Sequence, residues 1–199
     1  MQEAYIHDQE FDQIDFTQNP LAKGEYEKCK FDNCNFSEYD LSEFKFIDCY
    51  FINCNLSLAK LTKTVLQDIK FDGCKLVGLH FEDCNDFILS FSFNECQLNY
   101  SSFYKSKIKK TVFKKSSLIQ VDFSEADLTD VIFENCNLDQ TIFNNTILEK
   151  TDFRTAYNFS IDPEMNKMRK TRFSNVGLRG LLDKYDIEIE DNYQNDTNC

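Results

Sequence analysis

Nine cysteines and two histidines are the side chains of this 199-residue chain best suited to metal, redox or acid-base chemistry. Cys29 and Cys34 are spaced C-x4-C, as are Cys49 and Cys54. A zinc pair of the usual type needs C-x2-C, so these thiols do not read as metal ligands. His7 and His80 have no nucleophile at a recognisable spacing, and no glycine-rich phosphate loop occurs. Glu82 and Asp83 are adjacent carboxylates, but with 34 acids in the chain such pairs arise by chance. The chain therefore reads as a non-enzyme without metal or cofactor. Six N-x-[ST] sequons occur, beginning with Asn35-Phe36-Ser37, and without secretion they carry no meaning.

Charge narrows the class of partner. Lysine and arginine number 22 against 34 acids, a net charge of −12. Such a surface repels nucleic-acid phosphates, so no direct nucleic-acid binding is expected and a positively charged partner is. No apolar run approaches the roughly 18 residues that span a bilayer, and Met1 to Glu10 lack the basic and hydrophobic stretches of a signal peptide. The expected location is the cytoplasm, away from any membrane. One segment departs from the acidity: Lys105, Lys107, Lys109, Lys110, Lys114 and Lys115 fall in residues 105–120 with no acid among them. They read either as an anion-binding patch or, more plainly, as a solvated rim offsetting neighbouring acids.

What positions all these residues is a repeat. In residues 29–46, CKFDNCNFSEYDLSEFKF, the side chains Phe31, Phe36, Leu41 and Phe46 return every fifth position. An amphipathic helix repeats near 3.6 residues and a half-buried strand at 2, so neither fits. The centres run from Phe11 to Phe81, and a second register runs from Ile88 through Phe93 to Phe153. The step of seven from 81 to 88 implies a two-residue bulge within Glu82 to Ser90. Blocks grouped in fours give columns twenty apart, of which the first is Phe11, Phe31, Phe51, Phe71, Phe93, Phe113, Phe133 and Phe153. Cys34, Cys54, Cys74, Cys96, Ser116 and Cys136 form a parallel series two residues before the second column. Like residues stacked over like imply a solenoid with four sides to each turn. Within a block the first and third residues point inward and the others face water.

The cysteines are then small core residues. Parallel Cβ vectors hold stacked neighbours about 4.8 Å apart, beyond disulfide range. Cys199, on a polar tail, reads as an exposed free thiol. With only five Gly and two Pro to make corners, the Ser or Thr that often follows a centre, as at Ser37, Ser42, Ser57, Ser124 and Thr129, is expected to satisfy turn backbone.

Blocks such as CKFDN, CNFSE, CNLSL, CKLVG, ADLTD and CNLDQ resemble the pentapeptide-repeat family, with its A(D/N)LXX consensus. The resemblance covers about residues 10–158. It implies an all-β fold, a right-handed quadrilateral parallel β-helix with one turn per four blocks. Residues 1–175 would form about eight coils, with the bulge near 85–90 and a degenerate last coil at 159–175. At about 4.8 Å per coil the rod is roughly 38 Å long.

Residues 176–190 break the repeat. Leu178, Leu181, Leu182 and Tyr185 follow i, i+3, i+4, i+7 spacing, which predicts a short amphipathic helix despite Gly180, and Ile187 with Ile189 predict a strand. A solenoid end must be capped, and this stripe covers the last coil. Its placement resembles the dimerising module of the quinolone-resistance members of the family, so a homodimer through Leu178, Leu181, Leu182 and Tyr185 is expected. Residues 191–199 are expected to be disordered.

Those relatives are acidic dimeric rods that bind bacterial type II topoisomerases, DNA gyrase or topoisomerase IV, by mimicking duplex DNA, and so counter quinolones. The resemblance implies the same here, with two departures. The acid is dilute, and Asn35, Asn55, Gln97, Ser117 and Asn137 line one side without charge. The long projecting loops are absent; the bulge alone offers Phe87 and Leu89 as partner contacts, unless both turn inward. The alternative is a general interaction scaffold with a partner other than a topoisomerase.

Overall fold

A computed structural model describes residues 4–190. Each five-residue block folds as a short extended segment followed by a corner. Along Val121-Asp122-Phe123-Ser124-Glu125 the first and third side chains are fully buried and Glu125 is exposed. The corner comes from the fifth residue, which takes a left-handed backbone: φ is +52° at Asn33, +57° at Glu38 and +58° at Lys63, and glycine supplies only Gly73 and Gly78 of the series. This conformation costs an L-residue roughly 1–2 kcal/mol. It persists because each corner amide bonds the coil above, as Asn33 N to Ile52 O (2.9 Å) and Glu38 N to Ser57 O (2.9 Å). The turn acceptor is the residue before the centre, not the one after it. Asn35 Oδ1 accepts from Ser37 N at 3.1 Å and from Ser37 Oγ at 2.8 Å, and Asp122 Oδ1 accepts from Ser124 N at 2.8 Å.

All strand pairing is parallel. One sheet joins Ala4–His7, Gly24–Glu27, Lys45–Ile47 and Val65–Gln67, and a second runs from Glu10–Asp12 to Ile132–Glu134. Single bridges such as Asn35↔Asn55 and Asp122↔Ile142 link the other two sides. The result is the right-handed four-sided β-helix. Partners are twenty apart except across the bulge, where Ile69–Asp72 pairs with Phe91–Asn94, Lys75 with Gln97 and His80 with Ser102, each 22 apart, so the two extra residues lie between His80 and Phe91.

The shaft is filled by stacked rings. Phe11 lies 4.8 Å from Phe31 with planes 6° apart, Phe51 lies 5.3 Å from Phe71, and the file runs on to Phe153 and Phe173 at 5.4 Å and 3°. The third column meets it edge-on, as Phe113 meets Phe123 at 6.0 Å and 76°. Inward small residues do more than fill space. Thr64 Oγ1 donates to Leu41 O (2.8 Å), Thr151 Oγ1 to Leu128 O (2.8 Å) and Cys54 Sγ to Phe31 O (3.4 Å), each reaching the previous coil. Thr151→Val keeps the shape and removes the donor, and should cost about 1 kcal/mol, or roughly 2–4 °C of Tm by thermal melting.

The C-terminal segment departs from expectation. It forms two 3-10 turns, Val176–Leu181 and Asp183–Tyr185, rather than an α-helix, and Ile187 and Ile189 join no strand. The stretch is too short to hold an α-helix by propensity, and Gly177 and Gly180 weaken it further. Close docking explains both glycines, since a Cβ on Gly180 would sit 2.1 Å from Phe159 O and one on Gly177 would sit 3.0 Å from the Phe159 ring. Ile161 N bonds Gly180 O at 2.8 Å and Leu181 packs on the core, so the segment closes the last coil as a cap.

Candidate partner-binding surface

No group of His, Cys, Asp or Glu that could hold a metal ion occurs among the described residues. Every described cysteine is buried; Cys199 lies outside the described residues. Burial pushes the thiols of Cys49 and Cys136 up to about 12. Cys34 and Cys74 are raised further, chiefly by side-chain hydrogen bonding to Cys54, then by burial at Cys34 and by hydrogen bonding to Cys96 at Cys74. These are poor nucleophiles. Burial likewise lifts Tyr26 to about 12. A raised folded pKa gives stability that is whole below the unfolded value and lost as pH climbs toward the folded one. From ordinary values of 9.0 for Cys and 10.0 for Tyr, Tm should hold steady through neutral pH and fall between about pH 9 and 12. Melting curves across that range check it.

What remains for function is surface. His80 is exposed, and its Nδ1 lies 3.0 Å from Glu82 Oε1. Charge is organised from coil to coil. In the lysine-rich segment Lys105 pairs with Glu125 (3.6 Å), Lys109 with Asp127 (3.0 Å), Lys114 with Glu134 (3.2 Å) and Lys115 with Glu95 (3.0 Å). These lysines offset acids on adjacent coils, in line with the rim reading. Unpaired acid gathers instead toward the N-terminal half, where Asp12, Asp32, Ile52 and Asp72 stack in register with Asp48 and Asp68 nearby at a corner. Within that file, among the described residues, Asp32 alone forms an ion pair, with Lys30 at 2.9 Å. The side free of acid runs from Asn35 through Asn55, Lys75, Gln97 and Ser117 to Asn137, with Lys75 its one charge.

Exposed apolar side chains such as Leu58 and Ile142 are scattered along the rod, and two further places bear on the expected contacts. At the bulge a 3-10 turn, Asp86–Ile88, begins with Asn85 Oδ1 accepting from Phe87 N at 3.1 Å. It throws Phe87 outward, 92% exposed, whereas Leu89 packs partly against the core. Of the two contacts expected there, Phe87 alone stands free. At the C-terminal end Leu178 is 46% exposed and Tyr185 53%, with Val176 and Ile187 beside them, while Leu182 is half-buried and Leu181 faces its own core. The helical stripe is therefore split between two faces.

A stacked four-sided solenoid whose described thiols are sealed inside and whose surface carries ion-pair files has the make-up of a repeat scaffold. The model of the pentapeptide repeat region matches residues 24–103 and 88–182, and the chain belongs to that family. Two trypsin-treated forms of QnrB1, a plasmid-mediated fluoroquinolone resistance protein, superpose on it with TM-score 0.63 at 17% identity. Each match covers 93% of this chain and 99% or 97% of the other. HetL, a pentapeptide repeat protein from the cyanobacterium Nostoc sp. strain PCC 7120, matches with TM-score 0.38 at 15% identity over 85% of this chain and 86% of its own. A search of curated protein sequences found no match. No described helix is long and apolar enough to cross a membrane.

Proposed function

We propose that this chain is a non-enzymatic, acidic binding rod of the cytoplasm that docks on a basic surface of a bacterial type II topoisomerase, gyrase or topoisomerase IV, and protects it from quinolones. The observation that carries this reading is the overlap of its solenoid with QnrB1 along 93% of the chain. Net charge of −12 supports a cationic groove as partner and opposes direct nucleic-acid binding. The mimicry is dilute: duplex DNA the length of a rod of roughly 38 Å carries about 22 charges. Contact is centred on the N-terminal acid file and on Phe87. The described residues up to 175 form the rod and 176–190 the module that caps it and pairs two copies, through Leu178 and Tyr185 above all. Purified protein should inhibit gyrase supercoiling at micromolar concentration and restore activity in the presence of a quinolone. Absence of both effects refutes the reading.

The coil-to-coil ion pairs from Lys105 to Lys115 favour a second reading, a general scaffold with another protein partner, since they break the acidic field across one coil. Pairing is testable separately. Leu178→Asp places a charge on an exposed position, so light scattering should report a monomer whose circular dichroism matches the parent's. An unchanged dimer places the contact elsewhere.

A further inference from the structure

Inward donors at the first position of a block reach the centre carbonyl of the preceding side, one coil back: Thr64 bonds Leu41 O, and Ser101 Oγ bonds Leu76 O at 3.0 Å. By the same rule Ser106 should bond Phe81 O. It does not: Phe81 O accepts from Cys84 N at 3.2 Å, as Leu41 O accepts from Phe44 N at 3.1 Å, but whereas Leu41 O also takes the Thr64 hydroxyl, Phe81 O takes none from Ser106. Ser106, only 7% exposed, is left with no partner for its hydroxyl. Glu82 Oε2 is the other buried side-chain atom without one among the described residues. Both residues line a cleft of about 330 Å³ between the bulge and the next coil, walled by Leu89 and Tyr104. The cleft exists because the ladder fails there: among the described residues, 86–89 form no backbone hydrogen bond to a neighbouring coil.

We propose that this cleft receives a lysine side chain of the bound partner, its ammonium donating to Glu82 Oε2 and Ser106 Oγ. The apolar walls suit a four-carbon stem, and the two orphaned oxygens suit a compact head with several donors. A guanidinium fits less well, since its fork wants both carboxylate oxygens and Glu82 Oε1 faces His80. Lys105, also on the wall, is engaged by Glu125 and by the Tyr104 ring at 4.7 Å, and Asp86 and Lys107 also line the cleft. Both oxygens are shielded from water, so the head group enters as the weakly tied segment 86–89 gives way. The assignment deepens the reading of the bulge as a contact surface, and a small probe separates the two.

The test titrates the full chain with Nα-acetyl-lysine amide, and with the norleucine and glutamate analogues, following amide NMR shifts at Ser106, Lys107 and Glu82. The lysine compound should bind saturably and the other two should not. Glu82→Gln should weaken it by about ten-fold or more, and Ser106→Ala by about two- to ten-fold. Ser106→Ala should leave the melting temperature unchanged or raised, since the lost hydroxyl bonded nothing, which keeps the test valid should Glu82→Gln disturb the turn. Equal binding of norleucine, tighter binding of glutamate, or no saturation by lysine overturns the proposal whether or not any topoisomerase is bound.

Discussion

Phe113→Ala should lower stability by about 3–5 kcal/mol. Phe113 is fully buried. It stacks between Phe93 at 4.9 Å and Phe133 at 5.1 Å and meets the edges of Phe103 and Phe123 at 6.0 Å each. Alanine leaves a gap in the middle of a file, where coils above and below are fixed by parallel backbone bonding and cannot close over it. For a domain of this size the loss corresponds to roughly 6–20 °C of melting temperature. Phe87→Ala is the internal control: the side chain is 92% exposed, so stability should stay within about 0.5 kcal/mol. A melting experiment on the two variants separates the stacked file from the exposed contact.

Gly180→Val should unseat the cap. A Cβ at Gly180 would approach Phe159 O to 2.1 Å and the Phe159 ring to 2.8 Å, and neither is the loose end of a side chain. The segment must lift, breaking Ile161 N to Gly180 O and the packing of Leu181 on the core. Overpacking of this kind costs about 3 kcal/mol, and here it also exposes the last ring of the file, Phe173. The expected readouts are a lowered melting temperature and rapid proteolysis within residues 176–190. Since the proposed pairing uses the same module, the variant should also be monomeric. A Gly180→Val protein as protease-resistant as the parent would show that the segment does not depend on this close approach.

The Phe11-to-Phe153 file was legible because period, identity and the 22-residue step from Cys74 to Cys96 agree on one geometry. The parallel pairing of Ile69 with Phe91 bears out the inserted two residues. The corners were not legible. Left-handed backbone at Asn33, Glu38 or Lys63 leaves no mark in residue type, because the bond to the next coil, not glycine, holds it. The acceptor of the turn was misplaced by two residues for a related reason: Asn35 and Ser37 are both short and polar, and only geometry says which accepts. At the C-terminus the spacing of Leu178, Leu181, Leu182 and Tyr185 suits an α-helix, yet two glycines pressed on Phe159 leave room only for 3-10 turns. Ser106 was legible as an inward position. Its missing partner shows only in the structure, since the sequence around Ser106 continues the repeat like any other block.

Native-state hydrogen exchange puts the whole scheme to one measurement, because the proposed contact lies where a continuous coil-to-coil ladder is interrupted. Amides such as Ser102, which bonds Leu79 O at 2.8 Å, and Ile142, which bonds Val121 O at 2.8 Å, should exchange only through near-global opening. Those of Asp86 and Leu89 should exchange faster by several orders of magnitude. Protection at Asp86 and Leu89 equal to that of Ser102 and Ile142, or rapid exchange throughout the shaft, would contradict the account.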